Sequence, residues 1–114
     1  MQIQYTDKIE KYFEDFSYLQ KKIGKEMAKT IKKHIDNLKA SNNFGIFLSL
    51  GLGKPHPLSG NHQGEYGIRV TANERLIVEP VCENLSIEIL KVCDTIIIKG
   101  VEDYHGSKEN WLIP

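Results

Sequence analysis

Six side chains between positions 54 and 105 could move protons or hold a negatively charged oxygen: Lys54, His56, Arg69, Arg75, Tyr104 and His105. Histidine and tyrosine can take and give protons where a site positions them. Arginine presents a planar fork of donors that matches phosphate oxygens. Taken singly, each has a plainer role. His56, between Pro55 and Pro57, reads as an exposed loop residue, and Tyr104 as an aromatic at the edge of a core with its hydroxyl in water. Other chemistries lack their residues. Gly51-Leu52-Gly53-Lys54 does not have the spacing of a phosphate-binding loop and is not framed by a strand and a helix. No serine nucleophile is supported. Cys82 and Cys93 have no second Cys/His pair nearby, so no zinc site or redox C-x-x-C motif is expected, and reduced thiols in a cytoplasmic protein are.

The elements that must position these groups can be read from periodicity. With 114 residues, 40% of them hydrophobic, and mean hydropathy −0.36, the chain suits one compact globular domain spanning 1–114. Its longest apolar stretch, Phe44 to Leu52, is too short for a membrane span, and Met1-Gln2-Ile3-Gln4 is not the start of a signal peptide. The 15 Lys+Arg balance the 15 Asp+Glu, but residues 1–40 carry nine lysines against six acids. Overall neutrality argues against tight non-specific binding of nucleic acid while leaving room for a local basic surface.

Ile9, Tyr12, Phe13, Phe16, Leu19 and Ile23 fall on one face of a helix, with Asp7 as N-cap and Glu10 three residues on. Gly24 separates this from a second helical stripe, Met27, Ala28, Ile31, Ile35 and Leu38. A further turn of helix is expected over 44–50. The Gly- and Pro-rich segment 51–60 is a loop. From Tyr66 the period becomes two, giving strands around 66–70 and 75–79. A three-residue turn at 72–74 would set Val70 opposite Leu76 and Ile68 opposite Val78, with Arg69 and Arg75 on the same non-core face; a two-residue turn would set Val70 against Arg75 and mix the faces. The stretch from Leu85 to Cys93 is ambiguous, since Ser86 could cap a short helix, the preferred reading, whereas Ile87 and Ile89 also fit a strand; the β-branched run from Thr95 to Val101 reads as a buried strand. The expected class is α+β: two N-terminal helices packed on an antiparallel sheet.

Four motifs follow in order: Pro55-His56-Pro57-Leu58-Ser59-Gly60, Gly64-Glu65-Tyr66-Gly67-Ile68-Arg69-Val70, Asn73-Glu74-Arg75-Leu76-Ile77 and Glu102-Asp103-Tyr104-His105. In that order they resemble the RelE/ParE toxin superfamily, and within it the HigB-type, or plasmid maintenance killer, toxins. Those typically read H-P-L-K-G, G-Y-W-S-I-R-V, an Arg-led strand and a D-Y-H ending. The resemblance implies the toxin of a type II toxin–antitoxin system: a cytoplasmic, metal-independent endoribonuclease needing no cofactor, cleaving mRNA on the ribosome and neutralised by a helix-turn-helix antitoxin. On the matching residues it implies His56, Arg75, Tyr104 and His105 as catalytic, with Lys54 and Arg69 as substrate-binding. The chemistry is consistent with that set. RNA cleavage by its own 2′-hydroxyl needs a base for that proton, an acid for the leaving 5′-oxygen, and cations around the phosphorane.

The chain departs from the pattern in three places. Ser59 stands where the family has a basic residue, so Lys54 is expected to fold back and supply the charge. Extra residues occupy about 82–94, and residues 106–114 form a C-terminal extension holding Trp111, expected either to cover the active face or to pack on the sheet. Two other functions fit the same chain: a ParE-like, gyrase-poisoning toxin, or a non-catalytic partner of the antitoxin acting as co-repressor. His56 and the Tyr104-His105 pair favour the nuclease.

Overall fold

The computed structural model describes residues 1–105 and 108–114, apart from the side chains at positions 105, 108 and 109. The elements run β1 (Gln2–Tyr5), α1 (Glu10–Glu14), α2 (Phe16–Ile23), α3 (Lys25–Ala40), α4 (Phe44–Ser49), β2 (His56–Pro57), a 3-10 turn (Gly60–His62), β3 (Tyr66–Arg69), β4 (Glu74–Pro80), α5 (Ile87–Leu90), β5 (Thr95–His105) and β6 (Lys108–Ile113). The sheet order is β1-β5-β4-β3-β2, with β6 also paired to β5. The α+β class and its helix-on-sheet packing are as expected. The buried faces of α2 and α3, led by Leu19, Ala28, Ile31, Ile35 and Leu38, join Phe44 and Phe47 of α4 and the inward residues Tyr66, Ile68, Leu76, Val78, Ile96 and Ile98 in one hydrophobic cluster. Each large side chain fully withdrawn from water here contributes on the order of 2 kcal/mol.

The N-terminal stripe is not one helix. Asp15 takes an extended conformation (φ −125°, ψ 104°) and its carboxylate accepts from the Tyr18 amide, so it ends α1 and caps α2. A short acidic side chain competes with the helix for backbone N–H groups, and here it wins. Asp7 does not cap: the N-cap of α1 is Ile9, with no side-chain bond. Asn43 and Ser86 cap α4 and α5 through their side chains.

The sheet is mixed. β1, absent from the sequence reading, pairs in parallel with β5, Gln2 opposite Thr95 through Tyr5 opposite Ile98. Four residues with two partly buried side chains are too short to show a period. β6 takes the same edge of β5 beyond β1, starting at Val101, because β4 fills the other edge along Ile96–Asp103. The change of neighbour falls at Gly100 (φ +145°), where a Cβ would sit 2.0 Å from the Ile113 carbonyl oxygen. The extension therefore pairs as a strand.

The β3–β4 register also differs from expectation. Ile68 lies opposite Leu76 and Tyr66 opposite Val78, a shift of two residues, and the turn is Thr71-Ala72-Asn73. Thr71 sets it: its Oγ1 accepts from the Asn73 and Glu74 amides and donates to the Glu74 carboxylate. Because a shift of two preserves the faces, Arg69 and Arg75 still share one, and face each other directly.

A candidate active site around Arg75

Three local features bring the loop onto the sheet. β2 pairs with β3 so that His56 lies opposite Gly67, and a Cβ on Gly67 would meet Arg75 Cδ at 3.1 Å; the missing side chain lets the Arg75 stem lie across β3. Gly53 (φ +69°) packs against Ile68 and His34 with no room for a Cβ, and its carbonyl accepts from the Arg69 amide at 2.7 Å. His34 of α3 lies 2.9 Å through Nε2 from the Arg69 carbonyl, which fixes Nε2 as the protonated nitrogen. Burial holds the His34 pKa below its ordinary value, and the Arg69 carbonyl opposes that shift only in part. At the far end, the Tyr104 amide donates to the Asn73 carbonyl, tying the end of β5 to the β3–β4 turn.

The result is a pair of adjoining grooves. One, about 360 Å³, is lined by Lys54, His56, Arg69, the 71–74 turn, Arg75 and Tyr104. The other, about 240 Å³, is lined by His56, Pro57, Leu58, Ser59, Arg75 and Tyr104. His56, Arg75 and Tyr104 are common to both. His56 is exposed, and its Nδ1 donates to the Lys54 carbonyl at 3.2 Å, so Nε2 carries the lone pair of the neutral ring. Arg69 is exposed, with Nε donating to the Thr71 carbonyl at 3.3 Å. Arg75 is held from two directions. Its guanidinium carbon lies 4.3 Å from the centroid of the Tyr104 ring, and its Nε and Nη2 donate to Glu102 Oε1 at 3.0 and 2.8 Å.

Glu102 is fully buried, and its other oxygen, Oε2, lies 2.6 Å from His62 Nε2. The opposite ring nitrogen of His62, Nδ1, lies 2.7 Å from Glu65 Oε1. Burial opposes a charge on His62, and the two carboxylates outweigh it and raise the pKa. Lys99 continues the row, 3.6 Å from Glu65 and 3.3 Å from Glu79. Among the described residues, no group of three or more His, Cys, Asp or Glu side chains is arranged to hold a metal ion.

A family model described as the YoeB-like toxin of bacterial type II toxin–antitoxin systems matches residues 9–94. The chain belongs to the YoeB-like toxin family. Solved structures support the same fold. A YoeB–YefM complex from Staphylococcus aureus is 24% identical, with 93% of this chain and 98% of that one covered at TM-score 0.53. A YoeB/ParE toxin from Agrobacterium tumefaciens is 21% identical over 93% and 100%, at TM-score 0.55. A YoeB dimer from Staphylococcus aureus gives 24% identity, 93% and 98% coverage and TM-score 0.53. Among curated protein sequences none matches. The RelE/ParE superfamily resemblance is thus sharpened to a YoeB-like type II toxin; the HigB-type likeness rests on the four motifs alone.

In this YoeB-like toxin the structure gathers Lys54, His56, Arg69, Arg75 and Tyr104 around one surface. The His105 side chain lies outside the described residues. Lys54 lines the groove that holds Arg69, and Ser59 the one beside it. Nor is Arg75 the open-face residue its alternation suggests, since its side chain is only 14% exposed and pairs with a buried carboxylate. Sequence reasoning missed His62, Glu65 and Glu102 as a network. One signal was present, a glutamate within a β-branched strand, but its meaning depends on Arg75 lying opposite Glu102, a register the sequence does not show. Trp111 packs edge-on to His62, 5.7 Å between ring centroids, and is 44% exposed.

Proposed function

We propose that this chain is the endoribonuclease of its type II pair, acting as one domain over residues 1–114, cleaving mRNA on the ribosome in the cytoplasm. The observation that carries the reading is the meeting of His56, Arg75 and Tyr104 at the shared wall of two grooves, flanked by Lys54 and Arg69. His56 Nε2, left with the lone pair when Nδ1 donates to the Lys54 carbonyl, takes the proton of the 2′-hydroxyl. As the O2′–P bond forms and the P–O5′ bond breaks, Arg75 holds the equatorial oxygens, and Arg69 and Lys54 anchor the neighbouring phosphates. Tyr104, with His105 beside it in sequence, returns a proton to the leaving 5′-oxygen. Every proton and charge in that scheme is supplied by a side chain, so no cofactor is invoked. The YoeB–YefM complex from Staphylococcus aureus supports a cognate antitoxin, which the resemblance makes a helix-turn-helix protein.

Induction of the chain followed by primer extension on cellular messages tests this. Discrete cuts within translated messages, abolished by His56→Ala and suppressed by the co-expressed antitoxin, are expected. A DNA-damage response without cuts would replace the reading with a gyrase-poisoning one. Unimpeded growth with neither would make the chain a non-catalytic partner of its antitoxin.

A further inference from the structure

We propose that His62 and Glu102 are positioning residues for Arg75, a doubly protonated imidazole fixing the buried carboxylate that in turn fixes the guanidinium at the grooves. The role in catalysis rests on the nuclease reading; the geometry does not. Both ring nitrogens of His62 face carboxylate oxygens, at 2.7 Å to Glu65 and 2.6 Å to Glu102. A neutral ring would turn a lone pair on one of them, so between two ionised carboxylates only the imidazolium satisfies both contacts. The charges then alternate along the row: Glu65 negative, His62 positive, Glu102 negative, Arg75 positive. A carboxylate as buried as Glu102 is tolerable only with such partners on both oxygens.

The row draws on every layer of this end of the fold. Glu65 comes from the loop before β3, Arg75 from β4, Glu102 and Lys99 from β5, and the Trp111 ring from β6 packs on the imidazole. Lys99 reaches Glu65 but not Glu102 among the described contacts, so it supports the far end of the row. A buried ion row that served stability alone could be replaced by packed apolar side chains. This one ends on a guanidinium that lines both grooves, where a misplacement of an ångström is enough to lose catalysis. The raised pKa of His62 agrees with the imidazolium form.

Nitrogen-15 NMR on the full chain tests the placement without mutation. The Arg75 Nε–H signal, assigned by its loss in Arg75→Lys, is followed with the His62 ring nitrogens as pH rises above the ordinary histidine value. Both ring nitrogens should be protonated at neutral pH, and the Arg75 signal should broaden and shift along the His62 titration. Glu102→Gln should reproduce that change at neutral pH. A neutral His62, or an Arg75 signal indifferent to both perturbations, overturns the proposal.

Cleavage of a reporter message in a translation mixture tests the consequence. Glu102→Gln and His62→Gln should lower kcat by roughly 10- to 100-fold with little change in KM. In an Arg75→Lys background, Glu102→Gln should add no further loss, because it acts only through the arginine. An additive loss there overturns the positioning role. If the unmutated chain cuts no message, the nuclease reading fails, and the NMR titration still decides whether His62 and Glu102 set the guanidinium.

Discussion

Replacing Arg75 by alanine should damage stability and cleavage together, and a second substitution should separate them. The guanidinium makes two hydrogen bonds to Glu102 Oε1, and Glu102 is fully buried. Removing one partner of a buried ion pair costs about 3–5 kcal/mol. Glu102 keeps His62 on its other oxygen, and the Arg75 side chain is 14% exposed, so water can reach the vacated space. A loss of about 2 kcal/mol follows, or about 8 °C in Tm at roughly 4 °C per kcal/mol for a chain of this length. Cleavage should fall by about 100-fold or more, the effect of about 3 kcal/mol of lost phosphate stabilisation. Adding Glu102→Gln removes the orphaned charge, so the double variant should recover about half of the lost Tm and none of the lost cleavage. Thermal unfolding by circular dichroism and primer extension read the two quantities. An Arg75→Ala chain that keeps its Tm, or a double variant that unfolds lower still, would refute the coupling; one that still cuts would refute the catalytic role.

Gly53→Ala should cost about 2 kcal/mol in urea unfolding, since its Cβ would sit 2.5 Å from Ile68 Cγ2 and 2.9 Å from His34 Cε1 at φ +69°. The pKa of His62 is raised above 6.5 in the folded chain, so its contribution to stability is complete below the unfolded value and is lost as pH rises through the folded one. Urea midpoints should therefore decline above neutral pH, and less so in His62→Gln. Lys54→Met, at an exposed position, should lower cleavage about tenfold with Tm unchanged, and Ser59→Lys should not rescue it because the two residues line different grooves. A full rescue, seen in the same message-cleavage assay, would show that one charge serves both.

The parts of the fold legible in sequence were those with enough residues to show a period. The long stripe of α3, the β-branched run of β5 and the alternation around Ile68 and Leu76 are of that kind. The faces of β3 and β4 were legible too, though the register was off by two, because alternation cannot detect an even shift and the turn was set by a threonine hydroxyl. β1 and β6 were not, since each depends on β5 for its pairing, with partners 93 residues away for β1 and 3–12 residues away for β6. For the site, loop and strand-end residues were legible by type and order. Glu102 and His62 were not, because a buried ion row depends on the register between β4 and β5 and on the turn before β3 folding onto it.

Both β1 and β6 borrow the same strand, one after the other along one edge of β5. At about 5–20 residues per second of synthesis, Gln2 waits roughly 5–20 s for Thr95 to be made, and Glu102 and Tyr104 come later still. Closing so long a loop brings no reward until its partner exists. A nascent chain therefore holds His56, Arg69 and Arg75 without the strand whose Glu102 and Tyr104 hold the guanidinium, and a message cut short before β5 yields a product whose grooves lack the Tyr104 wall. The candidate site is complete only once β5 has been made.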